Sequence, residues 1–286
     1  MKHEPKFQKQ HKVSQVYLKQ FGFKHEDGRW YVSVLRVGSN MTEDILVSEF
    51  TTEINIFDVD LPMLLPSEKR NFENLSNMLE NDYPKILNSI KSQKKITARH
   101  RDIINHYIAN LMCRTNPFRS IVDDWINDNE VIPLVLEDVL MFDEEDTSLQ
   151  VMMENLSDSN KLNAFIGFLM NHLVRVFRSF KSVIIKSESK LGWLTTDSPV
   201  TVDWQDEHYT IIPLETELYF PLSRDLLIFM YHPSSKKQNN LLRSLPIDKV
   251  NSVDFATFNE INLLLAKDYD EYLIFYESTP IQKIFD

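Results

Sequence analysis

Glu73 and Glu80 lie seven residues apart, with Asn77 at a four-residue step between them. On a helix the three share one face, a donor set that suits a hard cation such as magnesium and equally well a solvated acidic face. The other chemical templates fail outright. None of the eight histidines (3, 11, 25, 100, 106, 172, 208 and 232) forms H-E-x-x-H or H-x-H or pairs with a cysteine at zinc spacing. Cys113, the single cysteine, sits in an apolar periodic run and reads as a buried structural thiol. No G-x-S-x-G nucleophile elbow is present. The five glycines stand apart, about a quarter of average usage, so neither G-x-G-x-x-G nor a Walker A loop can be built.

Arg101-Asp102-Ile103-Ile104-Asn105-His106 carries an Arg and a His separated by four residues. The spacing resembles the catalytic motif of the helical HEPN ribonucleases, whose Arg and His act on the scissile phosphate and the 2′-hydroxyl. About one such match is expected by chance in a chain of this length, so it carries little weight.

Five ordered segments carry more. They are His11-Lys-Val-Ser-Gln15-Val-Tyr17-Leu18-Lys-Gln-Phe21; Phe72-Glu73-Asn-Leu75 running to Leu79-Glu80 and Pro84; Tyr107-Ile108-Ala109 through Arg114-Thr115-Asn-Pro117-Phe-Arg119; Trp193-Leu-Thr-Thr196-Asp197-Ser198-Pro199-Val200; and Phe220-Pro221-Leu222-Ser223. Together they resemble the bacterial domain-of-unknown-function family 4238, over nearly the whole chain. Departures fall at Lys12 and Ser14, at the inserted Asn116 and at Ser198. The resemblance supplies positions rather than chemistry: His11, Gln15, Glu80, Arg114 and Asp197 are polar residues inside apolar segments.

These types read physically as a site. A His titrates near neutral pH and serves as general base, a carboxylate orients it, and an Arg pairs bidentately with an anionic oxygen. The leading expectation is therefore a nuclease-like hydrolase of phosphodiesters, and the bacterial family that the chain resembles implies a defence or toxin–antitoxin setting. His11 is its base, Asp197 orients His11, Arg114 binds phosphate, and Gln15 and Glu80 complete the substrate pocket. The alternative is a non-catalytic binding or regulatory protein whose polar residues hold a scaffold and whose acidic surface meets a protein partner. Convergence of His11, Arg114 and Asp197 on one solvent-reachable cleft separates the two. No feature assigns a metal, cofactor or oligomeric state.

With 31 basic and 42 acidic residues the net charge is −11, which argues against a surface that coats nucleic acid throughout. Two basic stretches, Lys91 to Arg101 and Arg175 to Lys181, read as solvated helix ends. The polar start Met1-Lys2-His3-Glu4-Pro5-Lys6, the lack of a membrane-length apolar run and the lone cysteine predict a soluble, cytoplasmic protein without membrane association.

Elements that position these residues follow from periodicity. Trp30–Val37 and Ile45–Phe57 alternate as strands about a Gly38-Ser39-Asn40 turn. Ser67 reads as the N-cap of a helix that Pro84 should kink. Further helices are predicted from Thr97, over 118–127, over 160–180 and over 247–267. Strands are predicted at 183–185, 193–195, 200–204, 209–212, 218–220, 226–231 and 272–276, and an acidic exposed stretch at 143–146. The expected fold is one α+β domain over 1–286. Its N-terminal segment and hairpin (1–60) and helical middle (67–181) pack with a mostly antiparallel sheet built chiefly from the C-terminal half (182–286).

Overall fold

The computed structural model describes residues 9–60, 66–140, 156, 158–203, 211–237, 241–267 and 269–276. It is a mixed α+β structure, with helices in the middle of the chain and strands at both ends. After β1 (Lys9–His11) and the single-turn α1 (Gln15–Leu18), the short β2 (Phe23–Lys24) leads to β3 (Trp30–Arg36) and β4 (Thr42–Leu46). The predicted hairpin is present: β3 and β4 pair antiparallel from Tyr31↔Leu46 to Leu35↔Thr42. Gly38 turns the chain at φ +75°. The second predicted strand is broken, because Thr51 and Asn55 take left-handed backbone angles on either side of β5 (Thr52–Ile54). That detour lets β5 pair with β1, setting His11 opposite Thr52.

The helical layer comprises α2 (Pro66–Lys69), α3 (Asn71–Gln93), α4 (Ala98–Arg114), α5 (Asn116–Asn127), α6 (Val131–Leu140) and α7 (Asp158–Ser179). Ser67 falls inside α2, and Arg70 occupies the N-cap position of the long helix instead. Pro84 does not end α3, which continues to Gln93. In this glycine-poor chain Lys94 takes the left-handed C-cap. The helix predicted from Thr97 is present as α4, and Thr97 caps it by accepting from the His100 N–H. The stripe Leu79, Tyr83, Ile86, Leu87 and Ile90 is buried in the main core. The 143–146 stretch lies outside the described residues.

Beyond α7 come β6 (Lys181–Lys186), β7 (Thr195–Thr196), β8 (Thr201–Asp203), β9 (Glu217–Ser223), β10 (Leu226–Tyr231), β11 (Val250–Ser252), α8 (Phe255–Leu265) and β12 (Tyr272–Phe275). One sheet runs β11-β6-β10-β9-β8, antiparallel except for β11 beside β6. Its strands alternate strictly. Ile184, Ile228 and Met230 face the helical core, while Val183, Ile185, Phe229 and Tyr231 face Phe258, Ile261 and Leu265 of α8. Both faces are covered, which is why these strands read as unbroken apolar runs. A second sheet joins β2, β3, β12 and β7, so the last strand closes onto the first hairpin. The predicted helix over 247–267 is corrected: its first residues form β11, and Asp254 starts α8 by accepting from the Thr257 N–H. Ile211 and Ile212 form a bend rather than a strand, and Tyr209 and Thr210 lie outside the described residues. Among the described residues no helix is long and apolar enough to cross a membrane.

Two glycines report opposite constraints. A Cβ on Gly22 would lie 2.5 Å from the Tyr31 carbonyl oxygen, whereas Gly167 in α7 has nothing within 4 Å. Gly22→Ala should cost about 1–3 kcal/mol, and Gly167→Ala should add about 0.5–1 kcal/mol of stability, both read by urea unfolding.

Candidate functional site

Arg114 ends α4 with its side chain inside the protein, at 0 % exposure. A buried guanidinium needs partners for its donors. Nε and Nη2 both donate to the main-chain carbonyl of His11, the former at 2.7 Å. Glu73 Oε2 lies 3.4 Å from Nη2 and Glu80 Oε1 lies 3.9 Å from Nη1. The Phe57 ring stacks 4.8 Å from the guanidinium carbon. Glu73 and Glu80 are thus the two carboxylates on one face of α3, and their counter-charge is Arg114; Asn77 points to solvent. Burial raises the pKa of both carboxyls, and Arg114 pulls them back down in part.

His11 presents its carbonyl to Arg114 and turns its ring elsewhere. Nδ1 lies 3.3 Å from the Phe50 carbonyl and Nε2 lies 2.7 Å from the Gln15 amide nitrogen. The arrangement fits a neutral ring that donates from Nδ1 and accepts at Nε2. Burial lowers its pKa, against the opposing pull of the Phe50 carbonyl. Ser14, also buried, lies beside Glu80 and Tyr107.

The five segments that carry the family resemblance meet here. Tyr17 shares a 2.5 Å hydrogen bond with Thr195 and stacks on Phe220 at 5.3 Å. Tyr83 stacks on Tyr107 at 4.2 Å and donates to the Leu222 carbonyl. That carbonyl is available because Leu222 has no register partner where β9 and β10 slip, beside Pro221.

Asp197 occupies a different place. Its carboxylate accepts from the backbone N–H groups of Asp270, Glu271 and Tyr272 at 3.1, 2.7 and 3.1 Å. These bonds pin the entry to β12; both His11 ring nitrogens are engaged by other groups, so Asp197 does not orient that ring. At 7 % exposure burial dominates, and the Asp197 pKa is raised to about 6 despite the three donors. The carboxylate borders a small cavity of about 150 Å³ with Lys12, Thr51, Glu53, Asn116 and Glu271. Lys12 pairs there with Glu53, and Asn116 donates to Asp270 at 2.9 Å. The structure therefore unites His11, Gln15, Glu80 and Arg114 in one nest and sets Asp197 in the neighbouring cavity, with Lys12 next to His11 in the chain.

Other candidates resolve differently. Arg101 donates to the Ile247 carbonyl at 3.2 Å, and His106 Nδ1 lies 2.7 Å from the Asp102 carbonyl. Burial pushes the Cys113 thiol up, which leaves it unreactive. Among the described residues no group of three or more His, Cys, Asp or Glu could hold a metal ion. Sequence reasoning missed the roles of Glu73, Tyr83 and Tyr107. The available signal was the pair of carboxylates on an otherwise core-facing helix stripe, which calls for a buried cation opposite.

Removing Arg114 leaves two carboxylates without their counter-charge and a carbonyl without its donors. Arg114→Met should cost about 3–5 kcal/mol in urea unfolding, and Arg114→Lys should fail to restore it because one ammonium cannot fork across the site. The Asp197 shift also has a sign. Its folded pKa lies above the ordinary 3.8, so its contribution is full below pH 4 and is lost as pH rises through about 6. The stability difference between wild type and Asp197→Asn should therefore move in the variant's favour by up to about 3 kcal/mol between pH 4 and pH 7.

A family model described as protein of unknown function (DUF4238) matches residues 9–279. No curated protein and no solved structure matches the chain significantly. The match begins at β1, whose His11 carbonyl receives Arg114, and extends past β12, so it takes in every element of the nest: the chain belongs to the DUF4238 family.

Proposed function

We propose that this protein is a non-catalytic binding or regulatory protein, in which the His11–Arg114 nest is a clamp and the acidic surface meets a protein partner. The observation that carries this reading is the state of Arg114: it is fully buried, and two of its donors are spent on a backbone carbonyl. A phosphate-binding Arg keeps its fork open to the ligand. The general-base role is likewise disfavoured, since Gln15 already occupies Nε2 of His11. The partner side is supported by the exposed Glu43 and Asp44 on β4 and by Glu26 and Asp27 in the adjoining turn. Charged edge strands resist pairing with another strand, so recognition there would run through side chains and weaken with salt.

A second reading, the nuclease-like hydrolase of phosphodiesters, is favoured by the raised pKa of Asp197 at the rim of a cavity that also holds Lys12 and Asn116. A carboxyl titrating near 6 suits general acid–base work. Incubation with RNA, DNA and small phosphodiesters, with and without divalent cations, separates the two. The binding reading expects no turnover above buffer. Hydrolysis that Asp197→Asn slows by about 10²–10⁴-fold, in a protein that still melts cooperatively, would replace it with the hydrolase.

A further inference from the structure

The two basic stretches of the sequence, Lys91 to Arg101 and Arg175 to Lys181, are far apart in the chain and meet at one end of the molecule. Helices α4 and α7 run antiparallel: Asp102 near the start of α4 accepts from Arg178 near the end of α7 at 2.9 Å, while Asn110 reaches Met170. The segment entering β11 closes over the same end. Ile96 donates to the Asp248 carbonyl, Lys95 and Lys249 form an antiparallel bridge, and Arg101 reaches the Ile247 carbonyl. Strand β6 also begins here, since Val250 of the parallel β11 lies opposite Ile184, three residues after Lys181. Lys95, Arg99, Lys181 and Lys249 are all exposed, and none of them makes an ion pair among the described residues.

Helix physics explains only part of this cluster. Cations at the ends of α3 and α7 suit the carbonyl poles of those helices. Helix α4 has the opposite arrangement: it opens Ala98-Arg99-His100-Arg101 with no acidic residue in its first turn. Cations there oppose the positive end of the helix and add to its field. Arg101 has a structural bond to account for it, whereas Arg99 makes no hydrogen bond or ion pair among the described residues, although it lies near enough to Asp82 to help lower that carboxyl's pKa. Asp102 is matched by Arg178 and Asp82 by Lys85, with Arg99 close by, while the exposed Asp248 makes no ion pair among the described residues. No exposed aromatic residue, the usual anchor of a protein interface, sits among these cations in the described residues.

We propose that this pole binds the sugar–phosphate backbone of nucleic acid, with Lys95, Arg99, Lys181 and Lys249 as phosphate contacts. Cations drawn from separate elements match a repeating polyanion, and contacts of this kind position a backbone without reading bases. The pole lies at the start of α4, about 24 Å from Arg114 at its other end, so it is independent of the clamp and of the reading built on it.

Fluorescence anisotropy of the full chain with a labelled duplex DNA and a labelled single-stranded RNA, across about 50–200 mM salt, tests this. Four phosphate contacts predict a log–log salt slope of roughly −3 to −4 on duplex. The double variant Arg99→Gln/Lys249→Gln should weaken binding by about tenfold or more at the lowest salt and flatten the slope by about 2, with an unchanged melting temperature. Lys24→Gln, an exposed lysine on β2, should bind as wild type. No binding at the lowest salt, or equal loss in Lys24→Gln, would overturn the proposal. Displacement of nucleic acid by polyglutamate at equal concentration of charge would overturn it in favour of an acidic protein partner.

Discussion

A guanidinium taken out of water must find its hydrogen-bond partners inside the protein, and Nε and Nη2 of Arg114 find theirs in a stretch of chain more than 100 residues away, while Nη1 faces Glu80 with no hydrogen bond among the described residues. The carbonyl of His11 accepts two of its donors, and two carboxylates of α3 supply the opposing charge. The N-terminal strand is thereby held where α3 and α4 approach each other. Gln10 extends the attachment, accepting from the Phe57 N–H and donating to Asp58. A short strand with three paired residues has little cohesion of its own, so this buried charge is what gives residues 9–15 a fixed place.

From that anchor the aromatic residues pass the constraint on. Tyr17 touches Phe220 and Thr195, and Tyr83 joins Tyr107 to the irregular turn of ladder at Leu222. Tyr17 and Tyr83 each bury a ring in the core and carry a matched hydroxyl, which ties their positions more tightly than a Phe could. The helical layer, the central sheet and the N-terminal segment are consequently joined through directional bonds as well as apolar contact. Asp197 does similar work one step away, fixing the entry of β12 into the sheet that holds the first hairpin.

Charge is distributed unevenly over this frame. The chain is acidic overall, with carboxylates on β4 and in the turn before β3, yet the start of α4 and the end of α7 gather cations. Net charge describes the sum, whereas a ligand responds to the field close to the surface it approaches, which salt confines to about 10 Å at 0.1 M. One molecule can therefore present surfaces of both signs.

Much of the architecture was legible in the sequence because it is local. The 3.6-residue stripes of α3, α4 and α7, the start of α4 near Thr97 and the alternation of β3 depend on near neighbours, and the order of helices between strands follows from them. The misread places are those where a distant partner decides. Residues 250–252 form a strand because β6 offers an unpaired edge, and the run after Leu46 breaks so that β5 can meet β1. The candidate site divides the same way. Sequence marked His11, Gln15, Glu80, Arg114 and Asp197 as polar residues that packing alone would not ask for. Only the tertiary structure decided that Arg114 faces a carbonyl, that Gln15 closes the His11 ring and that Asp197 serves the β12 backbone, because a hydrogen bond's partner is set by distance and angle in space, which residue type and spacing do not contain.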